Sequence, residues 1–185
     1  MNIKTNEIIY TSGSTESNNI ALIGTAFAKK KQGNHIIVSK LEHESIYGIC
    51  KYLEENGFII DYVNNTKDGL IDFDDLKSLV TKDTILVSIC AVNSELGIRQ
   101  PLKIIKQIIK KENSDCVFHS DMTQALGKCP INLFPFFIFN CIIVLFNVSI
   151  FFSSICAFAC SNVILSSTNN EAIEFINPIL PLSEL

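Results

Sequence analysis

The segment TSGSTESNN, residues 11–19, is a polar, glycine-containing turn that opens into a helical pattern. The first backbone N–H groups of a helix are free, and the helix dipole makes that end positive, which suits a phosphate group. Ser14 and Thr15 lie in the middle of this turn. The alternative is an ordinary helix cap in which a serine or threonine side chain accepts the backbone hydrogen bond.

Two further polar segments follow β-like runs. His43 lies in EHES, where its imidazole could stack on a flat ring or could simply cap a helix. Asp121 and Gln124 lie in FHSDMTQALGK. A carboxylate at a strand end can hold the protonated nitrogen of a heteroaromatic ring, and a nearby amide can bind a ring substituent. The alternative for Asp121 is a solvated acidic residue at a helix start.

Alternating strand and helix patterns surround these segments and predict an α/β fold with a largely parallel sheet. The predicted strands cover residues 8–10, 35–39, 58–63, 84–89 and 116–119. Four helices are predicted. The first follows the turn at residues 11–19 and ends near residue 30, and the others cover residues 42–56, 73–80 and 101–111. Ligands in such sheets bind beyond the carboxyl ends of the strands, so we expect the polar segments to lie together there.

Composition narrows the class of protein. The 185 residues carry a net charge of −4, which gives no basic surface for a nucleic acid. Seven scattered cysteines form neither a CxxC zinc pattern nor a disulfide framework. The first residues contain no apolar signal region, and a cytoplasmic, reducing compartment is expected, with mitochondrial or membrane-associated locations as alternatives.

The last part of the chain has a different character. Between Lys128 and Glu171 there is no charged residue and no histidine. This change predicts a domain over residues 1–133 and an apolar, non-matching tail over residues 134–185. A sequence rich in Phe, Ile, Asn and Ser is typical of a lost reading frame or a retained intron. The alternative is a membrane segment, since residues 141–160 have the length that spans a bilayer. If the tail is foreign to the fold, its removal should not lower the soluble yield.

The strings YTSGSTESNN, EHES, VNSELGIRQP and FHSDMTQALGKCPINL, in this order and spacing, resemble the class V aminotransferases. Within that family they are most similar to the cysteine desulfurases, and selenocysteine lyases share the same landmarks. The resemblance covers residues 8–133. It implies an incomplete type I aminotransferase-like large domain, which in the family is a mainly parallel seven-stranded sheet that holds pyridoxal phosphate.

The resemblance also implies roles for individual residues. Ser14 and Thr15 would contact the cofactor phosphate. His43 would stack on the pyridine ring and move protons during catalysis. Asp121 would pair with the ring nitrogen, so that the ring acts as an electron sink.

Two more positions concern the phenolic oxygen of the ring. Gln124 would donate a hydrogen bond to it. The family has an asparagine close to the same oxygen, and this chain has Ser94 there, with a shorter side chain.

The implied reaction removes sulfur from L-cysteine, leaving alanine and a protein-bound persulfide for a sulfur-acceptor protein, as in iron–sulfur cluster assembly; the family enzymes are homodimers. The family's Schiff-base lysine should lie near Phe146 and Asn147, yet no lysine follows Lys128. None of the seven cysteines matches the family's nucleophilic loop. We therefore expect this chain to be inactive alone. A non-catalytic remnant and a membrane-attached binding module are the alternatives.

Overall fold

A computed structural model of the protein describes residues 8–126, 128–129, 141–145 and 162–166. Strands and helices alternate through most of this range, which confirms the predicted α/β fold. The strands are β1 (Ile8–Thr11), β2 (His35–Ser39), β3 (Ile59–Val63), β4 (Thr84–Ser88), β5 (Val117–Asp121), β6 (Cys141–Leu145) and β7 (Asn162–Ser166). The helices are α1 (Ser14–Lys29), α2 (Glu44–Glu55), α3 (Phe73–Leu79) and α4 (Leu102–Glu112).

The strands form one seven-stranded sheet in the order β1-β7-β6-β5-β4-β2-β3. Strands β3, β2, β4, β5 and β6 pair in parallel, while β7 is antiparallel to both of its neighbours, β6 and β1. A single strand therefore runs against the others. The predicted mainly parallel sheet is confirmed, and the seven strands agree with the number that the resemblance implies.

Two strands come from the part of the chain that we assigned to a non-matching tail. In β6, Val144 lies opposite Asp121 of β5, and in β7, Val163 lies opposite Tyr10 of β1. The sheet thus crosses the predicted boundary at residue 133, and β5 is not an open edge. Strand β6 pairs in parallel with β5, and a strand inside a parallel sheet reads as a continuous apolar run, as CIIVL does. The predicted membrane segment begins with β6, and its residues 146–160 lie outside the described residues.

Alternate residues of the central strands point into two apolar clusters, one on each face of the sheet. On the face covered by α1 and α2, the buried strand residues include Ile36, Val38 and Leu86. On the face covered by α3 and α4 they include Ile37 and Val87. Because helices cover both faces, these strands need apolar residues at every position.

Four strands end at the same edge of the sheet. Because β1, β2, β4 and β5 run in the same direction, the loops that follow them all lie at this edge, as expected for strands joined through helices. Among the helices that the structure describes, none is both long enough and apolar enough to cross a membrane.

Candidate functional site

A cleft lies at this edge of the sheet. Its walls come from the segments after β1, β2, β4 and β5: Ser14, Leu41, His43, Cys90, Val92, Asn93, Ser94, Asp121, Thr123 and Gln124. Five of the six residues that the sequence predicted for the site therefore line one cleft. The sixth, Thr15, is exposed in the first turn of α1 and is not part of the lining.

The positive end of α1 borders the cleft through Ser14. The cap residue is Gly13, which has no side chain to accept the first backbone hydrogen bonds, so the helix has no side-chain cap. The backbone N and Oγ of Ser12 both donate to Oε2 of Glu16, each at 2.6 Å, and these bonds lower the pKa of Glu16. The serine- or threonine-capped alternative is therefore wrong. The uncapped helix start favours an anion in this part of the cleft.

Asp121 is the last residue of β5, and only 6% of it is exposed. Its Oδ2 accepts a hydrogen bond from Nδ2 of Asn18 at 3.1 Å. Its Oδ1 accepts from the backbone N of Thr123 at 2.9 Å and also from the Thr123 hydroxyl. The solvated alternative does not describe this residue. A buried carboxylate surrounded by donors can accept one more hydrogen bond from a ring N–H in the cleft.

His43 is the cap residue of α2. Its Nδ1 accepts from the backbone N of Ser45 at 3.2 Å and lies 3.0 Å from the Ser45 hydroxyl. The capping role that we considered as an alternative is present, and the same side chain also lines the cleft. The two roles are compatible, because the cap uses only Nδ1 and leaves Nε2 and the ring face.

The loop after β4 is organised by Asn93. Its Oδ1 accepts from the backbone N of Glu95 at 3.0 Å and of Leu96 at 2.7 Å, and its Nδ2 donates to the carbonyl of Leu41 at 3.0 Å. These bonds tie the loop to the segment after β2. They place the intervening Ser94 in the wall of the cleft.

Gln124 follows β5 and also lines the cleft. Its Oε1 accepts from Nζ of Lys128 at 2.5 Å, which leaves the amide nitrogen of Gln124 as a donor. Lys128 itself is not part of the lining, and no lysine is among the described lining residues. The sequence neighbourhood predicted for the Schiff-base lysine, Phe146 and Asn147, lies outside the described residues.

Glu42, which was not predicted for the site, is buried beside the cleft. Its Oε1 accepts from the Ser39 hydroxyl at 2.7 Å and from the backbone N of Cys90 at 2.6 Å. Within the described residues its Oε2 has no partner. Burial raises the pKa of Glu42 to about 8, and the charge of Asp121 adds to this rise, so the group is protonated at neutral pH. Its place directly before His43 in EHES was the available signal.

Three cysteine thiols are held in their protonated form. Burial raises the pKa of Cys90, which lines the cleft, and the nearby carboxyl groups of Glu42 and Asp121 raise it further. Burial likewise raises the pKa of Cys50 to about 11 and that of Cys116 to about 12. A nucleophilic cysteine must be a thiolate, so none of these three thiols is activated.

Comparison with known proteins agrees with the geometry. The Aminotransferase class-V family matches residues 1–138. A relative called "Cysteine desulfurase IscS", from Buchnera aphidicola subsp. Schizaphis graminum, is 48% identical over 132 residues, which are 71% of this chain and 32% of that protein. "Cysteine desulfurase, mitochondrial" from Candida maltosa is 44% identical over 133 residues, 72% of this chain and 27% of its own length. The chain thus spans about a third of the length of the curated relatives it matches.

A solved structure described as "NIFS-LIKE PROTEIN" superposes with a TM-score of 0.77 at 29% identity, covering 88% of this chain and 43% of that one. Class V aminotransferases and the IscS cysteine desulfurases depend on pyridoxal phosphate. The family match contains β1 to β5, the four loops and every cleft residue described above, whereas β6 and β7 lie beyond it. This chain belongs to the class V aminotransferase family.

Proposed function

We propose that the chain forms the pyridoxal phosphate cradle of a cysteine desulfurase, and that the whole protein removes sulfur from L-cysteine. The observation that carries the proposal is the buried Asp121 carboxylate, which opens onto a cleft beside an uncapped helix start. An anion site and a buried acceptor for a cationic ring nitrogen are the two contacts that a phosphorylated pyridine needs.

The residues of the cleft fit this cofactor. Ser14 and the start of α1 would bind the phosphate, and Asp121 would accept a hydrogen bond from the ring nitrogen. Gln124 would donate its free amide nitrogen to the phenolic oxygen, and Ser94, on the loop after β4, would lie close to the same oxygen. His43 would lie against the ring and hold or release a proton at Nε2. When bound, pyridoxal phosphate supplies an electron sink.

Thr15 is the one predicted site residue outside the lining of the cleft. Its side chain is exposed at the first turn of α1, and its carbonyl accepts from Nδ2 of Asn19 at 2.7 Å. A phosphate contact with Thr15, which the resemblance implies, would have to form at the rim of the cleft. We keep it as a proposed rim contact.

The chain is proposed to hold the cofactor without a covalent bond. No lysine follows Lys128 in the sequence, and none lines the described cleft. The three buried thiols are protonated, so they cannot attack the substrate sulfur. Turnover of L-cysteine would therefore need groups beyond those described, including the thiolate that passes sulfur to an acceptor protein.

The assembly and compartment are proposals of the same kind. A homodimer is proposed from the family resemblance alone. Free thiols are found at Cys50, Cys90, Cys116 and Cys129, which supports a reducing, cytoplasmic-type compartment.

The proposal is tested with pyridoxine 5′-phosphate, which lacks the aldehyde and therefore binds only through non-covalent contacts. We expect saturable binding by the full chain, weakened about 10- to 100-fold by Asp121→Ala, because the ring nitrogen loses a charge-assisted hydrogen bond. Asp115→Ala is the matched control, because Asp115 is exposed and lies before β5, at the far end of the sheet. Absence of saturable binding, or equal loss in both variants, would count against the cradle.

Activity is tested separately under reducing conditions with added pyridoxal phosphate. We expect no release of sulfide or alanine from L-cysteine above the rate that free cofactor gives. Cysteine-dependent turnover that is lost in Asp121→Ala and in His43→Ala would refute this expectation. It would show that another group supplies the missing amine and thiolate.

A further inference from the structure

Asn18 is a fully buried residue of α1 that joins two walls of the cleft. Its Nδ2 donates to Oδ2 of Asp121 at 3.1 Å and to Oγ of Ser45 at 3.2 Å. An ionised carboxylate can only accept, so the amide nitrogen and not the amide oxygen faces Asp121. Within the described residues, Oδ1 of Asn18 has no hydrogen-bond partner. The single NH2 group therefore connects α1, β5 and the start of α2.

The direction of the next hydrogen bond follows from the backbone of Ser45. Its N–H donates to Nδ1 of His43, so this ring nitrogen is an acceptor and the Ser45 hydroxyl, 3.0 Å away, donates to it as well. The Ser45 oxygen keeps its lone pairs for Asn18, which donates to it. A nitrogen that accepts from two donors carries no proton, so neutral His43 has its proton on Nε2.

We propose that Asn18 is a positioning residue that holds Asp121 and, through Ser45, His43 in a fixed relation across the cleft. The inference rests on the proposed function, because Asn18 would orient the side chains of Asp121 and His43, the two groups that would contact the ring. Without the amide, Asp121 keeps only the bonds to Thr123 on its other oxygen, and its carboxylate is free to turn. The Ser45 hydroxyl also loses the donor that sets its direction.

Two ligands separate positioning from a merely structural role in the full chain. The first is pyridoxine 5′-phosphate, and the second is its carbocyclic analogue, in which a C–H group replaces the ring nitrogen. We expect Asn18→Ala to weaken the first ligand about tenfold and to change the second less than about threefold, since only the first uses Asp121. In the Asp121→Ala background, Asn18→Ala should have no further effect on the first ligand.

Asn19→Ala is the matched control, because Asn19 is the next residue of α1 and bonds only its own helix, outside the cleft. It should leave both affinities unchanged. Unchanged binding of pyridoxine 5′-phosphate by Asn18→Ala overturns the inference, and so does an equal weakening of both ligands. If the wild-type chain does not bind pyridoxine 5′-phosphate, the proposed function fails first and takes the inference with it.

A measurement on the wild-type chain decides the matter if Asn18→Ala does not fold. The chain has three histidines, so a long-range ¹H–¹⁵N spectrum of histidine-labelled protein is simple to assign, with His43→Gln identifying the His43 signals. We expect the neutral His43 ring in the Nε2–H form. A dominant Nδ1–H form would mean that the Ser45 hydroxyl accepts from His43, which breaks the proposed series of hydrogen bonds and overturns the inference.

Discussion

Replacing Glu42 with glutamine should remove a pH dependence of stability that the buried carboxyl group creates. Burial raises the pKa of Glu42 from an ordinary 4.5 to about 8. Between these values the folded chain holds a proton that the unfolded chain releases. The free energy of unfolding therefore falls as pH rises from 4.5 to 8 and is flat above that range.

The size of the effect follows from the two pKa values. They lie 3.5 pH units apart, and each pH unit is worth about 1.4 kcal/mol. Glu42 can therefore lower the free energy of unfolding by at most about 5 kcal/mol at pH 8. The hydrogen bonds from Ser39 and Cys90 lower the pKa, and the value of about 8 already includes them. Because a buried site relaxes and admits water when its carboxyl group ionises, we expect a measured difference of a few kcal/mol at most.

Glutamine resembles the protonated carboxyl group in shape and charge. Its amide oxygen can accept from the Ser39 hydroxyl and from the backbone N of Cys90, as Oε1 of Glu42 does. Near pH 5 the two proteins should differ by less than about 1 kcal/mol, and near pH 9 Glu42→Gln should be the more stable one.

Urea unfolding followed by far-ultraviolet circular dichroism measures the difference, since the chain contains no tryptophan for fluorescence. Glu44→Gln is the control, because Glu44 is exposed only two positions away, and it should shift the curve by no more than about 0.5 kcal/mol at any pH. A constant difference between the wild type and Glu42→Gln from pH 5 to pH 9 would refute the reasoning, because it would show that Glu42 titrates alike in both states.

Three more changes test other parts of the structure. His119 is fully buried, with Nδ1 2.8 Å from the Ser88 hydroxyl, and burial lowers its pKa to about 3. The free energy of unfolding therefore falls as pH drops from 6.5 towards 3, and His119→Gln should reduce this fall in urea titrations at several pH values. An unchanged pH dependence in the variant would contradict the prediction. A chain that ends at residue 133 lacks β6 and β7 and leaves β1 without its partner strand, so its melting temperature and soluble yield should fall. This is the reverse of what the sequence led us to expect, and equal yields would favour the earlier expectation. Asn93→Ala removes three hydrogen bonds of the loop after β4, so the free energy of unfolding should fall by about 1–3 kcal/mol. Pyridoxine 5′-phosphate should also bind more weakly. An unchanged affinity would show that the loop keeps its position in the cleft without these hydrogen bonds.

The sequence predicts the first five strands and the four helices because each has a strong local pattern. Strand β2 begins and ends at the predicted residues, His35 and Ser39, and α2 begins within two residues of its predicted start. Pro101 was expected inside the first turn of α4, and the structure makes it the cap residue, with Leu102 first in the helix. Such end effects depend on one backbone angle, which the pattern alone does not determine.

The residues that hold the site together were harder to predict, since their partners are distant in the sequence. The partner of Asn18 at the end of β5 lies 103 positions away, and Glu42 meets Cys90 across 48 positions. The strands β6 and β7 were missed for a related reason, because only their neighbours in the sheet distinguish them from an apolar tail. Motifs located the cleft, whereas burial and long-range contacts decide which of its polar groups support the others.

The two buried carboxyl groups of the site differ in their surroundings, and the difference matters for what the cleft can bind. Asp121 accepts hydrogen bonds from three donors, whereas Glu42 has an oxygen without a partner among the described residues and is protonated up to about pH 8. Below that pH, Glu42 adds no negative charge beside the cleft. A protonated Glu42 thus lets one cleft accept an anion at α1 and a ring N–H at Asp121. Because ionised Glu42 would add a negative charge beside a cleft that binds an anion, the affinity for pyridoxine 5′-phosphate should fall above pH 8 in the wild type and persist in Glu42→Gln. A parallel fall in the two proteins would assign the loss to another group.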